Sequence, residues 1–576
     1  MQEALKISNL SFKYPKADKY ALSDVSLSIN QGDFVVITGP GGAGKTTLCL
    51  AMCGLIPHMI PGTLDGNVEV LGKNTRNVEP HEIASNMGIV FQEPDTQFFT
   101  SSVENDLAFP LENLNVPREE IRARVDEVLK TLRLERYRIA TPYKLSGGEK
   151  QRVAVAIGLV LRPKIMIYDE VTSSLDPLGK IEVTETIRRL HEQYGITSIL
   201  VTHDIEETIT RCNRLIVLEK GQIVLDGPPK DVIRRGLDYG LGIKFPTISE
   251  LGYCLMKRGY EIDVPIEIDE ARTCIDVVCE KTKLRKAKKE HVLEELKREV
   301  DEQTPIIDAK DVYFSYTNKE NNLAAKEVNL KIFPEEMIAI IGQNGSGKTT
   351  LMKQFAGLLK PTKGEILING QDAKKTPIRE LCRVVGYLYQ YPEDQLFSST
   401  VAEEIAFGPK NLGLPKDKIE TIVKEVSEKL GISDLLGTHP FFLSRPEKRV
   451  VTLASVLSMD PKILILDEPT TGQDWAGSKR ILDIVKKLNA EGKTVLFVTH
   501  DIRLVCEYAK RVVVMSAGKI IADGPVREIF ANQEVLKEAF IENTQLTRLF
   551  QDIYDETVLT VEEAEKLVEK FLKNKG

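Results

Sequence analysis

Residues 145–152 read Leu-Ser-Gly-Gly-Glu-Lys-Gln-Arg, and a changed copy of this stretch occurs once more in the chain. Two adjacent glycines let the backbone approach an anion closely, and the hydroxyl of Ser146 offers a further hydrogen-bond donor. At the N-terminus of a helix, such a stretch binds phosphate. The copy keeps Ser444 but has Arg445 and Pro446 in place of both glycines. The intact stretch and its changed copy therefore predict two phosphate-binding sites, one intact and one impaired.

Most of the chain is a tandem duplication. Six short landmarks of the first half recur in the same order about 300 residues later, and their offsets hardly vary. The first-half landmarks are Phe12-Lys13-Tyr14, Gly44-Lys45-Thr46-Thr47, Gln92, the stretch at 145–152, Asp169-Glu170 and His203-Asp204. A long offset that stays nearly constant indicates two copies of one domain rather than a short-period solenoid.

Each copy has the pattern of an α/β domain. In the first copy, an apolar run at Phe34–Thr38 precedes a glycine-rich turn, and we expect a helix to begin at Lys45. The later apolar runs Ile165–Tyr168 and Ser198–Thr202 are typical of buried parallel strands, and Glu119–Leu132 is typical of a helix between them. The order of strand, turn and helix predicts an α/β fold in both halves.

We predict five segments along the chain. The two α/β domains are expected at residues 1–235 and 305–530, each followed by a small helical C-terminal appendage, at 236–280 and 531–576. The two appendages are themselves similar in sequence. Between the copies, residues 281–304 are almost wholly charged, with basic residues followed by glutamates at helical spacing. This charge pattern predicts a solvated helical linker, with a disordered one as the alternative.

Composition excludes several classes of protein. The 576 residues are 42% hydrophobic and 28% charged, as in soluble proteins, and a formal net charge of -8 argues against nucleic acid as the main partner. No apolar run approaches the ~20 residues that span a bilayer, and the N-terminus lacks the apolar core of a signal peptide. Eight scattered cysteines without a Cys-x-x-Cys pair favour a reducing cytosol.

Two segments match the P-loop pattern Gly-x-x-x-x-Gly-Lys-Ser/Thr. In such loops, backbone amides surround phosphate oxygens, the lysine adds a positive charge, and the threonine hydroxyl is available to magnesium. Each segment follows an apolar strand and opens a helix, which is the context that a true P-loop requires. The predicted nucleotide-binding residues are Gly39, Pro40, Gly41, Gly42, Ala43, Gly44, Lys45, Thr46 and Thr47 in the first copy, and Gly342, Gln343, Asn344, Gly345, Ser346, Gly347, Lys348, Thr349 and Thr350 in the second.

A pair of carboxylates ends one buried strand in each copy. Asp169 and Glu170 follow the first strand, and Asp467 and Glu468 follow its counterpart. Because side chains alternate along a strand, we expect the aspartate and the glutamate to point in different directions and to have different roles. The aspartate suits the magnesium shell, and the glutamate suits polarising an attacking water. An acidic pair that merely faces solvent is the alternative.

Three further pairs of side chains are candidates for the same sites. They are His203 and His500, Gln92 and Gln390, and Tyr14 and Tyr316. A neutral imidazole after a strand can contact the terminal phosphate, although such a histidine is usually structural. A side-chain amide can meet both magnesium and water. A tyrosine can stack on a purine ring, and its spacing alone fits a core aromatic equally well.

The order of P-loop, glutamine, Leu-Ser-Gly-Gly-Glu, Asp-Glu and histidine resembles that of the ATP-binding cassette (ABC) ATPases, over about residues 4–230 and 306–530. The resemblance implies two P-loop ABC ATPase domains in tandem, each with a helical subdomain, that bind ATP and Mg²⁺. It also implies head-to-tail pairing, in which each nucleotide lies between one P-loop and the signature stretch of the other copy.

The resemblance implies two sets of site residues. One site would join Lys348, Thr349, Gln390, Asp467, Glu468 and His500 to Ser146, Gly147 and Gly148. The other would join Lys45, Thr46, Gln92, Asp169, Glu170 and His203 to Ser444, Arg445 and Pro446. Magnesium would be held by Thr349, Gln390 and Asp467 in the first, and by Thr46, Gln92 and Asp169 in the second.

The second of these sites departs from the family pattern. Pro446 has no amide hydrogen to donate to phosphate, and Arg445 brings bulk where a glycine has none. Losing one transition-state donor typically costs ~3 kcal/mol, or about a hundredfold in rate. We therefore expect one fast site and one slow or mainly structural site.

A narrower resemblance follows each glutamine. Residues 91–99 and 389–397, with 106–110 and 404–413 downstream, look like segments of energy-coupling factor (ECF) transporter ATPases. That group implies a groove for a helix of a membrane subunit, integral transmembrane (T) and substrate-binding (S) subunits as partners, and a location at the cytoplasmic face of the membrane. The alternatives are a structural loop with an acidic tip, a soluble tandem ABC ATPase acting on the ribosome or another nucleoprotein, and a non-hydrolytic scaffold.

Overall fold

A computed structural model describes residues 2–173, 175–281, 304–317 and 323–573. The chain divides into two compact units, residues 1–275 and 276–576, which are described separately. The five predicted segment boundaries stay a prediction, and residues 282–303 of the predicted linker lie outside the described part. No helix among the described residues has the length and apolar character needed to cross a bilayer.

Unit 1 contains two sheets. The strands are β1 (Glu3–Lys13), β2 (Leu22–Asn30), β3 (Phe34–Thr38), β4 (Thr63–Val70), β5 (Lys73–Asn74), β6 (Met87–Val90), β7 (Ile165–Asp169), β8 (Thr197–Val201), β9 (Arg214–Glu219) and β10 (Gln222–Gly227). An antiparallel sheet has the order β2-β1-β4-β5, and a six-stranded sheet has the order β10-β9-β3-β8-β7-β6. The latter is parallel except for the pair β9 and β10.

The helices that begin in unit 1 alternate with these strands. They are α1 (Lys45–Met52), α2 (Leu55–His58), α3 (Pro80–Ala84), α4 (Val103–Asn113), α5 (Arg118–Thr131), α6 (Gly147–Leu159), α7 (Pro177–Tyr194), α8 (Pro229–Tyr239), α9 (Thr247–Lys257) and α10 (Ile268–Lys281). Helices α4 to α6 form the helical subdomain, and α9 and α10 form the appendage.

Unit 2 repeats the architecture. Its strands are β11 (Ile307–Phe314), β12 (Ala325–Ile332), β13 (Met337–Ile341), β14 (Lys363–Ile368), β15 (Gln371–Asp372), β16 (Val385–Leu388), β17 (Ile463–Asp467), β18 (Thr494–Val498), β19 (Arg511–Ser516) and β20 (Lys519–Pro525). The sheets have the orders β12-β11-β14-β15 and β16-β17-β18-β13-β19-β20. Both orders reproduce those of unit 1 strand for strand.

The helices of unit 2 follow the same plan. They are α11 (Lys348–Phe355), α12 (Ile378–Leu381), α13 (Val401–Asn411), α14 (Lys416–Leu430), α15 (Arg445–Leu457), α16 (Trp475–Ala490), α17 (Ile502–Tyr508), α18 (Val526–Ala531), α19 (Gln533–Glu538), α20 (Gln545–Tyr554) and α21 (Val561–Lys573). Helices α20 and α21 form the appendage of this unit. The predicted α/β fold with helical subdomains and helical appendages is confirmed.

The central strands are mostly apolar because both of their faces are buried. In β3, Phe34 and Val36 belong to the core shared with the helices, whereas Val35 and Ile37 belong to the core shared with the antiparallel sheet. Strand β13 alternates between two cores in the same way. A strand covered on both sides has little room for charged residues until it ends, so its charged groups collect beyond the end of the sheet. That end holds the candidate site residues.

Candidate nucleotide-binding sites

The two P-loops join β3 to α1 and β13 to α11. A Cβ atom on Gly39 would lie 2.1 Å from the carbonyl oxygen of Leu218, and one on Gly342 would lie 2.1 Å from that of Met515. Each loop therefore passes so close to the neighbouring strand that only glycine fits. At the loop tips, Gly42 and Gly345 have φ values of 74° and 77° with open space where a side chain would stand. This backbone leaves room for an anion at a helix N-terminus.

The P-loop lysines lie inside these loops. Lys45 is buried, and its Nζ donates to the carbonyl oxygens of Gly39 (2.9 Å) and Pro40 (3.2 Å). Lys348 is equally buried, and its Nζ donates to the carbonyl oxygens of Gly342 (2.8 Å) and Gln343 (2.7 Å). A buried ammonium group close to the loop amides adds positive charge where phosphate oxygens are expected to bind.

Thr349 and Asp467 meet in unit 2, as expected for a magnesium site. The hydroxyl of Thr349 donates to Oδ1 of Asp467 (3.1 Å), and the hydroxyl of Tyr387 donates to Oδ2 of the same carboxylate (2.7 Å). In unit 1, Oδ1 of Asp169 is buried and has no hydrogen-bond partner among the described residues. Burial raises the pKa of Asp169 to about 6, although a hydrogen bond from Thr46 works in the opposite direction. A buried carboxylate oxygen of this kind fits a divalent cation.

Each glutamate lies one residue beyond its strand. Glu170 and Glu468 have φ values of 52° and 47°, in the left-handed region. The glutamate and the aspartate therefore do point in different directions, but the expected cause, alternation along a strand, is wrong. The backbone turn after Asp169 and Asp467 separates them. Left-handed backbone is costly for a residue with a Cβ atom, and such positions are common at functional sites.

The catalytic candidates of unit 2 form one hydrogen-bonded cluster around Glu468. Its Oε1 lies 2.9 Å from Nε2 of His500, and its Oε2 accepts from Nε2 of Gln390 (2.7 Å) and from the hydroxyl of Thr471 (2.9 Å). Burial opposes ionisation, but the hydrogen bond and charge of His500, the bond from Thr471 and the charge of Lys348 together hold the pKa of Glu468 below its usual value. The ionised carboxylate is the form that can polarise a water molecule.

The corresponding cluster of unit 1 differs in the contact that its glutamine makes. Nε2 of His203 lies 2.6 Å from Oε1 of Glu170, and Nζ of Lys45 lies 3.7 Å from the same oxygen. The side-chain amide of Gln92, however, donates to the hydroxyl of Ser173 (3.2 Å). Each glutamine and each histidine stands two residues past the end of its strand.

The two candidate purine-stacking tyrosines occupy matching places. The hydroxyl of Tyr14 lies 3.1 Å from that of Thr47, and the hydroxyl of Tyr316 lies 3.1 Å from that of Thr350. Each ring packs edge-on against a phenylalanine two residues earlier. Tyr316 is 63% exposed, so it is not a core aromatic. Stacking of either ring on a purine stays a prediction.

Both signature stretches begin a helix in the same way. Ser146 caps α6 and Ser444 caps α15, and each is part of a reciprocal capping box with the glutamate three residues later. Pro446 is the second residue of α15, where a backbone N–H has no acceptor within the helix. The helix therefore forms despite the proline. What the substitution removes is a donor at the exposed helix N-terminus.

Comparison with known proteins agrees with this geometry. The ABC transporter family matches residues 22–173 and 325–471. An ABC transporter ATP-binding protein of Methanosarcina mazei is 37% identical over 537 residues, which cover 93% of this chain and 91% of its own length. The chain belongs to the ABC transporter family. Another relative, from Caldanaerobacter subterraneus subsp. tengcongensis, is 37% identical over an alignment that covers 97% of each of the two chains.

A solved structure is also similar to part of this ABC protein. It is cbiO1 from Clostridium perfringens, described as part of the ABC transporter complex cbiONQ, with 35% sequence identity and a TM-score of 0.38. The alignment covers 43% of this chain and 99% of the other. At that TM-score, the likeness decides nothing about the present protein.

This ABC protein is therefore an ATPase that uses ATP and Mg²⁺. The open glycine tips, the buried lysines and the Thr349–Asp467 pair fit a nucleotide phosphate with its magnesium ion. Bound Mg²⁺ neutralises phosphate oxygens during phosphoryl transfer. Thr349 and Asp467 would hold it in unit 2, and Asp169 with Thr46 in unit 1.

Two residues of the unit 2 site of this ABC ATPase were not predicted. Tyr387 donates to the carboxylate of Asp467, the expected magnesium ligand, and the buried Arg449 donates to the backbone carbonyl of Gln390. The matching residues of the first copy are Ile89 and Gln151. The only signal in the sequence is a difference between the copies at positions that otherwise resemble an ordinary strand and an ordinary helix.

Each unit of the ABC ATPase exposes a pair of phenylalanines, one just before and one within α4 in unit 1 or α13 in unit 2. Phe99 and Phe109 are 74% and 42% exposed with ring centroids 6.0 Å apart, and Phe397 and Phe407 are 64% and 45% exposed with centroids 4.7 Å apart. We call these pairs the aromatic patches of units 1 and 2. A buried carboxylate holds the loop of each patch. These are Asp106, which accepts from the N–H groups of Phe99 and Thr100, and Glu404, which accepts from those of Phe397 and Ser398.

Proposed function

We propose that the chain is the ATP-hydrolysing subunit of an ECF-type uptake transporter and that it works with one fast and one slow ATP site. The observation that carries the proposal is the pair of aromatic patches. Each is exposed, each is fixed by a buried carboxylate, and each lies on the segment that follows one of the two candidate glutamines, Gln92 and Gln390. Exposed aromatic pairs held rigidly at equivalent places of two units are typical of docking surfaces.

The proposed partners of the patches are apolar helices of integral membrane subunits. The acidic residues nearby contribute less to docking than unpaired carboxylates would, because Asp95 is paired with Lys150 (2.8 Å) and Glu393 lies 3.6 Å from Lys448. Burial of the phenylalanine rings would therefore supply most of the binding free energy. In this proposal T and S subunits anchor the chain at the cytoplasmic face of the membrane, and the S subunit selects the cargo.

The unequal activity of the two sites is proposed from the helix N-termini. The fast site would pair the P-loop of unit 2 with Ser146, Gly147 and Gly148, and the slow site would pair the P-loop of unit 1 with Ser444, Arg445 and Pro446. Helix α15 has lost a backbone donor at Pro446, whereas α6 keeps all of its donors. ATP binding would close the paired units, and hydrolysis would release them.

Purification of the tagged full-length chain from detergent-solubilised membranes tests the transport proposal. Co-purification of stoichiometric hydrophobic subunits, identified by mass spectrometry, is the expected result. Recovery of ribosomes or of a nucleoprotein in their place, from the same cells, would contradict the proposal. The co-purified S subunit would also identify the class of cargo.

A further inference from the structure

Arg449 is a fully buried arginine in the second turn of α15, with 1% of its surface exposed. Its Nη1 donates to the carbonyl oxygen of Tyr389 (2.6 Å), and its Nη2 donates to that of Gln390. Among the described residues, no carboxylate lies within ion-pair distance of this guanidinium group. The two successive carbonyls therefore hold a buried charge that has no direct counter-ion.

Such an arrangement is unfavourable for stability alone. Burial disfavours the cation, and it lowers the pKa of Arg449 to about 10 even though Glu393, Glu468 and Asp467 act against the shift from a longer distance. The group is nevertheless charged at neutral pH. A neutral side chain at this place would avoid the cost of burial, so the arginine is better explained by what it does to Gln390.

Unit 1 provides an internal comparison. Gln151 occupies the matching position of α6, and it makes a single neutral hydrogen bond, from Nε2 to the carbonyl oxygen of Gln92 (3.2 Å). There, the Gln92 amide is directed to the hydroxyl of Ser173. In unit 2, where the arginine holds two carbonyls, the Gln390 amide donates to Oε2 of Glu468 (2.7 Å). The planar, two-pronged guanidinium fixes a backbone segment more firmly than one amide can.

We propose that Arg449 is a positioning residue for ATP hydrolysis in unit 2. It fixes the backbone of Tyr389 and Gln390, so that the Gln390 side chain stays directed at Glu468. Helix α15 thereby keeps a role in the active site of its own unit, although Pro446 has removed its phosphate donor. This inference rests on hydrolysis at the P-loop of unit 2, which belongs to the proposed function.

The first test is the steady-state kinetics of the purified full-length chain carrying Arg449→Gln, which installs the unit 1 residue. Removing the support of a metal-site residue typically costs about ten- to a hundredfold in activity, and we expect kcat to fall by that factor. The KM for ATP should stay within about twofold, because the P-loop is untouched. Arg449→Lys should recover part of kcat, since an ammonium group reaches one carbonyl. An unchanged kcat in both variants would overturn the proposal.

A matched control separates positioning from loss of stability. Arg511 is another buried arginine of unit 2, at the start of β19, where it pairs with Asp523 and Glu336. Arg511→Gln should lower the melting temperature without lowering kcat per folded molecule. If kcat falls equally in Arg511→Gln and Arg449→Gln, the effect is general destabilisation and the proposal fails.

A double-mutant cycle with Gln390→Ala is the decisive measurement. If Arg449 acts through Gln390, adding Arg449→Gln to Gln390→Ala should change kcat by less than about twofold. If the losses of kcat from the two substitutions multiply in the double variant, the inference is overturned. Should Arg449→Gln fail to fold, Arg449→Lys replaces it in the same cycle. Glu468→Gln shows whether unit 2 hydrolyses ATP at all, so a failure of the proposed function is distinguishable from a failure of this inference.

Discussion

Tyr387 donates its hydroxyl hydrogen to Oδ2 of Asp467 over 2.7 Å, while Thr349 donates to the other oxygen of the same carboxylate. Asp467, the proposed magnesium ligand of unit 2, is therefore oriented from two sides. In unit 1, the position of Tyr387 is occupied by Ile89, and Oδ1 of Asp169 has no hydrogen-bond partner within the described ranges. The two units thus differ beside their P-loops as well as at the start of their signature helices.

Tyr387→Phe should weaken magnesium use in unit 2. The substitution removes only the hydroxyl that orients Asp467, and loss of such a contact typically costs about tenfold in metal affinity or activity. The measurement is the Mg²⁺ concentration that gives half-maximal ATPase activity. Tyr389→Phe is the control, because that ring lies 4.9 Å from the ring of Tyr387 and only its backbone contacts Arg449. The same Mg²⁺ dependence in both variants would show that the hydroxyl has no such role.

Restoring the diglycine should reactivate the slow site. In a Glu468→Gln background, where the proposed fast site is disabled, the additional changes Arg445→Gly and Pro446→Gly return a backbone donor to the N-terminus of α15. Recovery of one transition-state donor is worth about a hundredfold in rate, and residual hydrolysis should rise toward that factor. The steady-state ATPase rate at saturating ATP measures it. If residual hydrolysis does not rise although the variant is folded, another feature of unit 1 limits the slow site.

The aromatic patches should matter for assembly and not for hydrolysis by the isolated chain. Phe99→Ser combined with Phe397→Ser removes one exposed ring from each patch, and we expect recovery of membrane subunits in affinity purification to fall at least about tenfold. ATPase activity of the purified chain should be unchanged. The control is Tyr239→Ser, since Tyr239 is 68% exposed at the end of α8. If recovery does not change, docking occurs elsewhere.

Asp204 makes the stability of unit 1 depend on pH. Its burial opposes ionisation, but Lys244 (2.9 Å) and Lys180 (3.6 Å) outweigh burial and hold the pKa of Asp204 below its usual value. A carboxyl whose folded pKa is depressed stabilises fully above the unfolded pKa of about 3.9, and this stabilisation is lost as pH falls through the folded pKa. Asp204→Asn should therefore destabilise the protein by about 2 kcal/mol at pH 7 and by progressively less below about pH 4.

The second unit supplies the control for Asp204. Asp501 occupies the matching position, but it caps α17 by accepting from the N–H groups of Arg503 (3.0 Å) and Leu504 (3.4 Å). An asparagine caps a helix about as well, so Asp501→Asn should cost only a few tenths of a kcal/mol. Melting temperatures of both variants at pH 7 and pH 3.5 show whether the destabilisation by Asp204→Asn depends on pH. A destabilisation of Asp204→Asn that does not shrink at low pH would contradict the ion-pair account.

The fold was predictable because buried strands and helices have characteristic spacings of apolar residues in the sequence. Strand β3 coincides with the predicted run Phe34–Thr38, and α5 (Arg118–Thr131) differs from its prediction by one residue at each end. The positions of the P-loops, the carboxylate pairs and the histidines after buried strands were predictable because each motif has fixed residue types after an apolar run. The turn at Glu170 was not, since nothing in the sequence distinguishes a left-handed residue from one more strand position.

The remaining parts of the site depend on contacts between elements that are distant in sequence. Tyr387 resembles any large residue of a buried strand until β16 is placed beside β17, where its hydroxyl reaches Asp467. Arg449 belongs to a charged stretch that is typical of an exposed helix start, and only the packing of α15 against the segment at Gln390 makes it a buried residue. Neither contact has a periodicity or a spacing that a sequence could show.

The central claim is that one site performs nearly all of the hydrolysis. Glu468→Gln and Glu170→Gln remove the same carboxylate charge from the two units, so comparing their steady-state ATPase rates tests the claim directly. We predict that Glu468→Gln lowers the rate at least about a hundredfold, whereas Glu170→Gln keeps more than about half of it. Equal losses in the two variants would contradict the account.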